Sequence, residues 1–192
     1  MSSSDRREQL LDVTTRIVIE DGFSAVTIEA VARAAGISRP IVYEHFGDRD
    51  GLLAAVIERE TGRALAQVSE TEVSGLTRSS ARDLLIESLQ AFLHAVRDHP
   101  TTWRLVLMPV EGAPKVLHTL IEDGRSRVLA RLAHAVGPAL AREGESRDAE
   151  LTARALSAMA DEYARLVLTD PHRYPPERLL DHARWFLGEI SL

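Results

Sequence analysis

The sequence predicts an all-α protein, and three observations carry that prediction. Apolar residues recur at helical spacing in segment after segment, and no stretch alternates with the period of a strand. Helix-opening residues precede these segments: Thr27, Asp48 and Ser80 as caps, and Pro100, Pro114 and Pro175-Pro176 as first-turn prolines. Hydrophobic residues make up 45% of the 192-residue chain, enough for a substantial core, and no internal repeat divides it. The expectation is about nine helices, with a small N-terminal domain over 1–48 and a larger helical body over 49–192.

The first helix is expected from Asp5. Asp5 to Glu8 has the shape of a capping box, and Ser2 to Ser4 read as a polar tail. Leu10, Val13, Thr14, Ile17 and Val18 form its stripe, Asp21-Gly22 ends it, and Phe23 drops into a three-helix core. Thr27 then caps a short helix whose stripe is Ile28, Val31, Ala32 and Ala35. Gly36 can take the left-handed conformation that closes it, and Ile37 plugs the turn. Ser38 and Arg39 open a second short helix with Pro40 in its first turn. Because Pro40 restrains Arg39 away from helical geometry, this helix is expected to start a residue late. Ile41, Val42 and Phe46 are its apolar side. Two short helices on a glycine turn form a helix-turn-helix pattern, whose second helix can enter the DNA major groove.

The run from Gly22 to Leu52 resembles the tetracycline-repressor (TetR) family of one-component transcriptional regulators. The matching residues are Gly22, Thr27, Ile28, Ala32, Ala35-Gly36-Ile37-Ser38, Tyr43, His45-Phe46, Asp50 and Leu52. Arg49 stands where the family usually has lysine. The resemblance implies that Arg39 reads bases, with Pro40 offering apolar contact to a thymine methyl. It implies that Tyr43 and His45 bond phosphates, and that Thr27 and Ser38 cap helices and touch phosphate, with Arg49 adding charge. Arg6 and Arg7 read as a solvated helix end or as an arm near DNA.

Asp48 caps the next helix, expected over 49–67 with Leu52, Leu53, Val56, Ile57 and Leu65 inward; residues 68–79 read as a polar loop. Ser80 opens a helix to about His99. Pro100 opens one that Pro109 stops, and Pro114 opens a longer one closed near Gly137-Pro138. Ser146 opens a helix ended by Asp170-Pro171, and Pro175-Pro176 begins the last, through Ile190.

Two faces of this body are candidates for function. Phe92, Trp103, Leu107, Met108, Met159 and Tyr163 are candidate lining for an apolar effector cavity, beside the plainer reading of core packing. Arg104 or Arg165 offers a ligand anion a partner, though each is more often a surface residue. The resemblance implies a homodimer built on the last two helices, with Leu156, Ala160, Leu179, Ala183 and Phe186 as candidates for its interface.

Other chemistry finds little support. There is no cysteine, hence no disulfide or thiolate chemistry, and no P-loop, G-x-S-x-G, H-E-x-x-H or Rossmann glycine run. His118 and Glu122 lie one turn apart but form no more than a polar pair, so no metal site and no cofactor are expected. No apolar run approaches the roughly 20 residues that cross a membrane, and the N-terminus has no secretory core, which points to the cytoplasm. Net charge is −6, and residues 1–50 hold six arginines against nine acids. DNA binding must therefore rest on local placement, with a shallow salt slope. The expected function is a repressor that binds a palindromic operator in double-stranded DNA as a homodimer and is released by a small, largely apolar effector. Two alternatives stand beside it: a helical small-molecule-binding protein or enzyme, and a protein-interaction adaptor.

Overall fold

The computed structural model describes residues 2–70, 81–108, 112–142 and 148–189. Among these residues the protein is all-α: nine helices, one 3-10 turn and no strand. The helices are α1 (Ser3–Asp21), α2 (Ile28–Ala35), α3 (Arg39–Phe46), α4 (Arg49–Glu70), α5 (Ala81–Asp98), α6 (Pro100–Leu107), α7 (Lys115–Arg142), α8 (Ala149–Thr169) and α9 (Pro176–Glu189); the 3-10 turn is Phe23–Ala25. No described helix is long and apolar enough to cross a membrane.

Several boundaries differ from the sequence expectation, each for a local reason. The capping box of α1 lies upstream of the expected one. The Ser2 hydroxyl accepts from the Asp5 N–H at 3.1 Å, and the Asp5 carboxylate accepts from the Ser2 N–H at 2.9 Å. Ser3 and Ser4 are thus the first helical turn, not a tail. Hydrogen bonding by the Ser2 N–H, with the Ser2 hydroxyl adding to it, holds the Asp5 carboxyl below the usual carboxylate range. Helix α3 starts at Arg39 and not a residue later, with Pro40 tolerated in a first turn whose N–H groups lack helical partners. Helix α4 continues through residues 68–70, which were expected to be loop. Helix α7, which packs along α8, runs through Gly137-Pro138 to Arg142, past the expected stop. Helix α8 starts at Ala149, where the Asp148 carboxylate accepts the N–H groups of Glu150 at 2.9 Å and Leu151 at 3.1 Å. The expected helix starts at Ser80 and Ser146, the stop at Pro109, loop positions 71–79 and Ile190 lie outside the described residues.

Two apolar cores position everything else. The head core gathers Leu10, Leu11 and Val18 of α1 with Phe23, Val31, Val42, and Leu52, Leu53, Val56 and Ile57 of α4. The body core gathers residues of α4 to α9, among them Leu93, Trp103, Tyr163, Leu180 and Leu187. Helix α4 enters both, through Leu52, Leu53, Val56 and Ile57 at one end and Ala64 at the other. Leu105 of α6 and Leu117 of α7 also pack into the head core. The head is therefore seated on the body by three helices.

Between the cores lies a buried polar knot. Glu60 of α4 is 1% exposed. Its carboxylate accepts from Arg59 at 2.9 Å and Arg63 at 3.2 Å, and from the Thr102 hydroxyl on α6. Arg59 also reaches α1, at 2.8 Å from Asp12, 3.0 Å from Glu8 and 3.2 Å from the Thr15 hydroxyl. Burial disfavours the Arg59 charge, but Glu60, Glu8 and Asp12 outweigh it and raise its pKa above the ordinary value. Among the described residues, no buried side-chain polar atom lacks a hydrogen-bond partner.

Candidate nucleic-acid interface and effector cavity

The helix-turn-helix is held by its own backbone. The Thr27 hydroxyl accepts from the Ala30 N–H at 3.0 Å and caps α2. Gly36 closes α2 at φ 67, ψ 35, a left-handed conformation that costs a glycine nothing. The Ile37 N–H then reaches back to the Ala32 carbonyl at 3.0 Å, and the Ile37 side chain packs against the head core.

Helix α3 is two-faced. Val42 is fully buried, with Ile41 and Phe46 partly so. Arg39, Pro40, Tyr43 and Glu44 form the opposite, exposed face, and Tyr43 is 50% exposed despite its size. A large aromatic on the solvent side of a short helix is an unusual use of apolar surface, and it fits a contact with something outside the chain. Arg39 lies 3.8 Å from Glu29, both side chains well exposed, so little energy holds it there. His45 is half-buried beside the Phe46 ring. Ser38 occupies the N-cap position of α3, yet its hydroxyl makes no capping bond there, contrary to expectation. It is exposed at the N-terminal end of the helix.

Arg49 departs most from its expected role. Its guanidinium turns inward and donates to the carbonyls of Val26 at 2.6 Å and Phe23 at 2.7 Å. Those donors are used in pinning the 3-10 turn to the start of α4, so Arg49 is not a loose cation for phosphate. Arg7 of α1 lies over the Phe46 ring at 5.3 Å and braces α1 against α3. Sequence patterning missed both contacts, because the target of a long side chain is set by tertiary placement.

The second candidate site is a cavity of about 430 Å³ between α4, α5, α6, α7 and α8, within the range of small-molecule sites. Phe92 and Trp103 meet edge to face in its wall, centroids 4.9 Å apart. Leu107 and Met159 also line it. Met108 and Tyr163 do not line it, contrary to expectation. Met108 ends α6 and packs on the body core, while Tyr163 is buried with its hydroxyl 2.5 Å from His182 Nδ1 of α9. Burial raises the Tyr163 pKa. Arg104 and Arg165 are used reciprocally: Arg104 of α6 donates to the Leu168 carbonyl of α8 at 3.1 Å, and Arg165 of α8 to the Leu107 carbonyl of α6 at 3.3 Å. They clamp the two helices together. His118 and Glu122 are exposed, and no cluster of three potential metal ligands occurs among the described residues.

The candidate interface residues divide by burial. Leu156, Leu179 and Ala183 are buried in the protomer's own core, and Leu156 and Ala160 line the cavity. Only Phe186 of that set is exposed, at 38%. The helical period was read correctly but its outward side was misassigned. Trp185 is 60% exposed and Leu151 63%, and the His182 ring stacks on Phe186 and tilts against Trp185.

Comparison with known proteins agrees with this geometry. The family described as "Bacterial regulatory proteins, tetR family" matches residues 10–56, which run from α1 into α4. The HTH-type transcriptional regulator BetI of Burkholderia thailandensis is 32% identical over 156 residues, covering 73% of this chain and 74% of that protein. The chain belongs to the TetR family. An uncharacterized HTH-type transcriptional regulator of Mycobacterium tuberculosis H37Rv is 29% identical over 130 residues, 67% of this chain; the match spans 59% of that relative's length. The fold of a TetR-like transcriptional regulator from Rhodococcus sp. RHA1 superposes with TM-score 0.78 over 100% of both chains, at 24% identity. The TetR resemblance of the Gly22 to Leu52 run thus extends, as a fold, over the whole chain.

Proposed function

We propose that this TetR-family chain is a one-component transcriptional repressor. As a homodimer it binds a palindromic operator through the α3 helix of each subunit. A small, largely apolar effector in the cavity then releases it. The observation that carries the reading is the division of α3. Val42 locks one side into the head core, while Arg39, Pro40 and Tyr43 face outward beside the open N-terminus at Ser38. Arg39 reads guanine and Tyr43 bonds phosphate. Two-fold pairing of heads matches a palindrome. The exposed rings of His182, Trp185 and Phe186 on α9 pack together and supply a patch for the second subunit.

The effector acts through shared helices. Helices α4 and α6 wall the cavity through Thr61, Ala64, Trp103 and Leu107, and the same helices meet the head through Glu60, Thr102 and Leu105. A ligand shifts DNA affinity by its preference for one arrangement of these helices. Selection from a random duplex library with effector-free protein tests the proposal. Enrichment of a two-fold palindrome is the expected result. Absence of enrichment at low salt by a folded protein would overturn it.

A further inference from the structure

The effector cavity is lined mainly by apolar residues, and at one of its charged places Arg125 of α7 and Asp161 of α8 face each other at 2.5 Å. A second pocket of about 210 Å³ adjoins there and shares Arg125, Ser157 and Asp161 with the first. Its other charged lining residues are Arg154 and Arg165. The second pocket is thus lined by three arginines and one acid, and two of the arginines, Arg125 and Arg165, act on that acid. Arg131 also lines the large cavity, with Glu87 as its other acid. Arg154 bonds Glu150 and Arg165 bonds Glu162, but both glutamates lie outside the lining and are well exposed.

Resting on the effector reading above, we infer that the ligand is an amphipathic anion, its apolar chain in the large cavity and its carboxylate or phosphate on Arg125 in place of Asp161. The electrostatics favour this over an amphipathic cation. A cation would have to reach Asp161 past Arg125 and Arg165, both of which act on that carboxylate. An anion gains the charge-assisted donors of Arg125, which stands half exposed at the edge of the apolar cavity. The displaced Asp161 is the more buried partner, with side-chain exposures of 17% against 48% for Arg125. Burial already raises its pKa despite Arg125 and Arg165, so uptake of a proton lowers the cost of losing its partner.

Titration calorimetry on the full chain separates the possibilities, with probes below their micelle concentrations: dodecanoate, methyl dodecanoate and dodecyltrimethylammonium. Dodecanoate is expected to bind about tenfold or more tightly than the methyl ester, the advantage of a charge-assisted bond. Arg125→Gln should abolish that preference and leave ester binding unchanged. Asp161→Asn, which removes the competing carboxylate, should tighten dodecanoate binding, a gain that misfolding cannot mimic. Equal affinity for ester and acid, preference for the ammonium probe, or a preference that survives Arg125→Gln would overturn the anion assignment and leave the apolar cavity standing. No heat with any probe, from protein that still binds its selected duplex, would overturn the effector reading itself and this assignment with it.

Discussion

Thr102 of α6 donates its hydroxyl to the carboxylate of Glu60, which α4 holds 1% exposed between the head and the body. Arg59 completes the connection to α1 through Glu8 and Asp12. A buried carboxylate is retained at a cost unless every partner is in place, so this junction tolerates few other geometries. Glu60→Ala should destabilise the protein by about 3 kcal/mol, the lower end for breaking a buried pair, because Arg59 keeps two other acids. Thr102→Val should cost about 1 kcal/mol through one lost bond. Urea unfolding of the two variants measures both; a Glu60→Ala protein as stable as wild type would contradict the role given to this knot.

Arg49 makes a prediction that separates scaffold from DNA contact. Its bonds to the Val26 and Phe23 carbonyls imply that Arg49→Ala loses about 2 kcal/mol of stability. If it were a phosphate ligand, the variant would keep its stability and its salt slope would fall by about one. Paired melting and salt-titration curves distinguish the two.

Much of the head was legible in the sequence because its signals are local. Thr27, Gly36 and the stripe through Val31 act within a turn or two of their own positions, and helix geometry does the rest. What was not legible depended on distance. Arg49, Arg59, Arg104 and Arg165 all find partners on other elements of the fold, and no spacing rule encodes a partner more than twenty residues away. Glu60 did carry a signal, as an acid on the buried side of α4, one turn beyond Val56 and Ile57. The cavity was half visible: Phe92, Trp103, Leu107 and Met159 line it, while Met108 and Tyr163 turn elsewhere. The α9 face failed because helical period gives two sides without saying which faces out.

Asp161 gives the account a pH dependence. Burial raises its folded pKa above the ordinary 3.8, even beside Arg125 and Arg165. The charged form is therefore less favourable folded than unfolded, and the protonated form more so. This contribution to stability is fully present below the unfolded pKa and is lost as pH rises through the higher folded value. Wild type should gain stability relative to Asp161→Asn as pH falls toward 3.8. Thermal melts of the two proteins between neutral and mildly acidic pH check this; a difference independent of pH would refute it.

The exposed aromatics of α9 predict the assembly. Trp185 and Phe186 project from a helix whose other side is buried in Leu179, Leu180, Ala183 and Leu187. In the proposed homodimer, Trp185→Glu should leave the fold intact and shift the assembly toward monomer in sedimentation velocity, with affinity for the selected duplex falling in parallel. A Trp185→Glu protein that sediments as wild type would exclude this face from the interface.

The proposed DNA-reading role of the outer α3 face is tested most directly by the affinity of Arg39→Ala and Tyr43→Ala for the selected duplex and for scrambled duplexes. Arg39→Ala should lose about 1–3 kcal/mol on the selected sequence and far less on the others, as expected for a base reader. Tyr43→Ala should weaken every duplex to a similar degree, as expected for a phosphate contact. If both variants fold and bind the selected duplex as wild type does, the α3 face is not the DNA-reading surface.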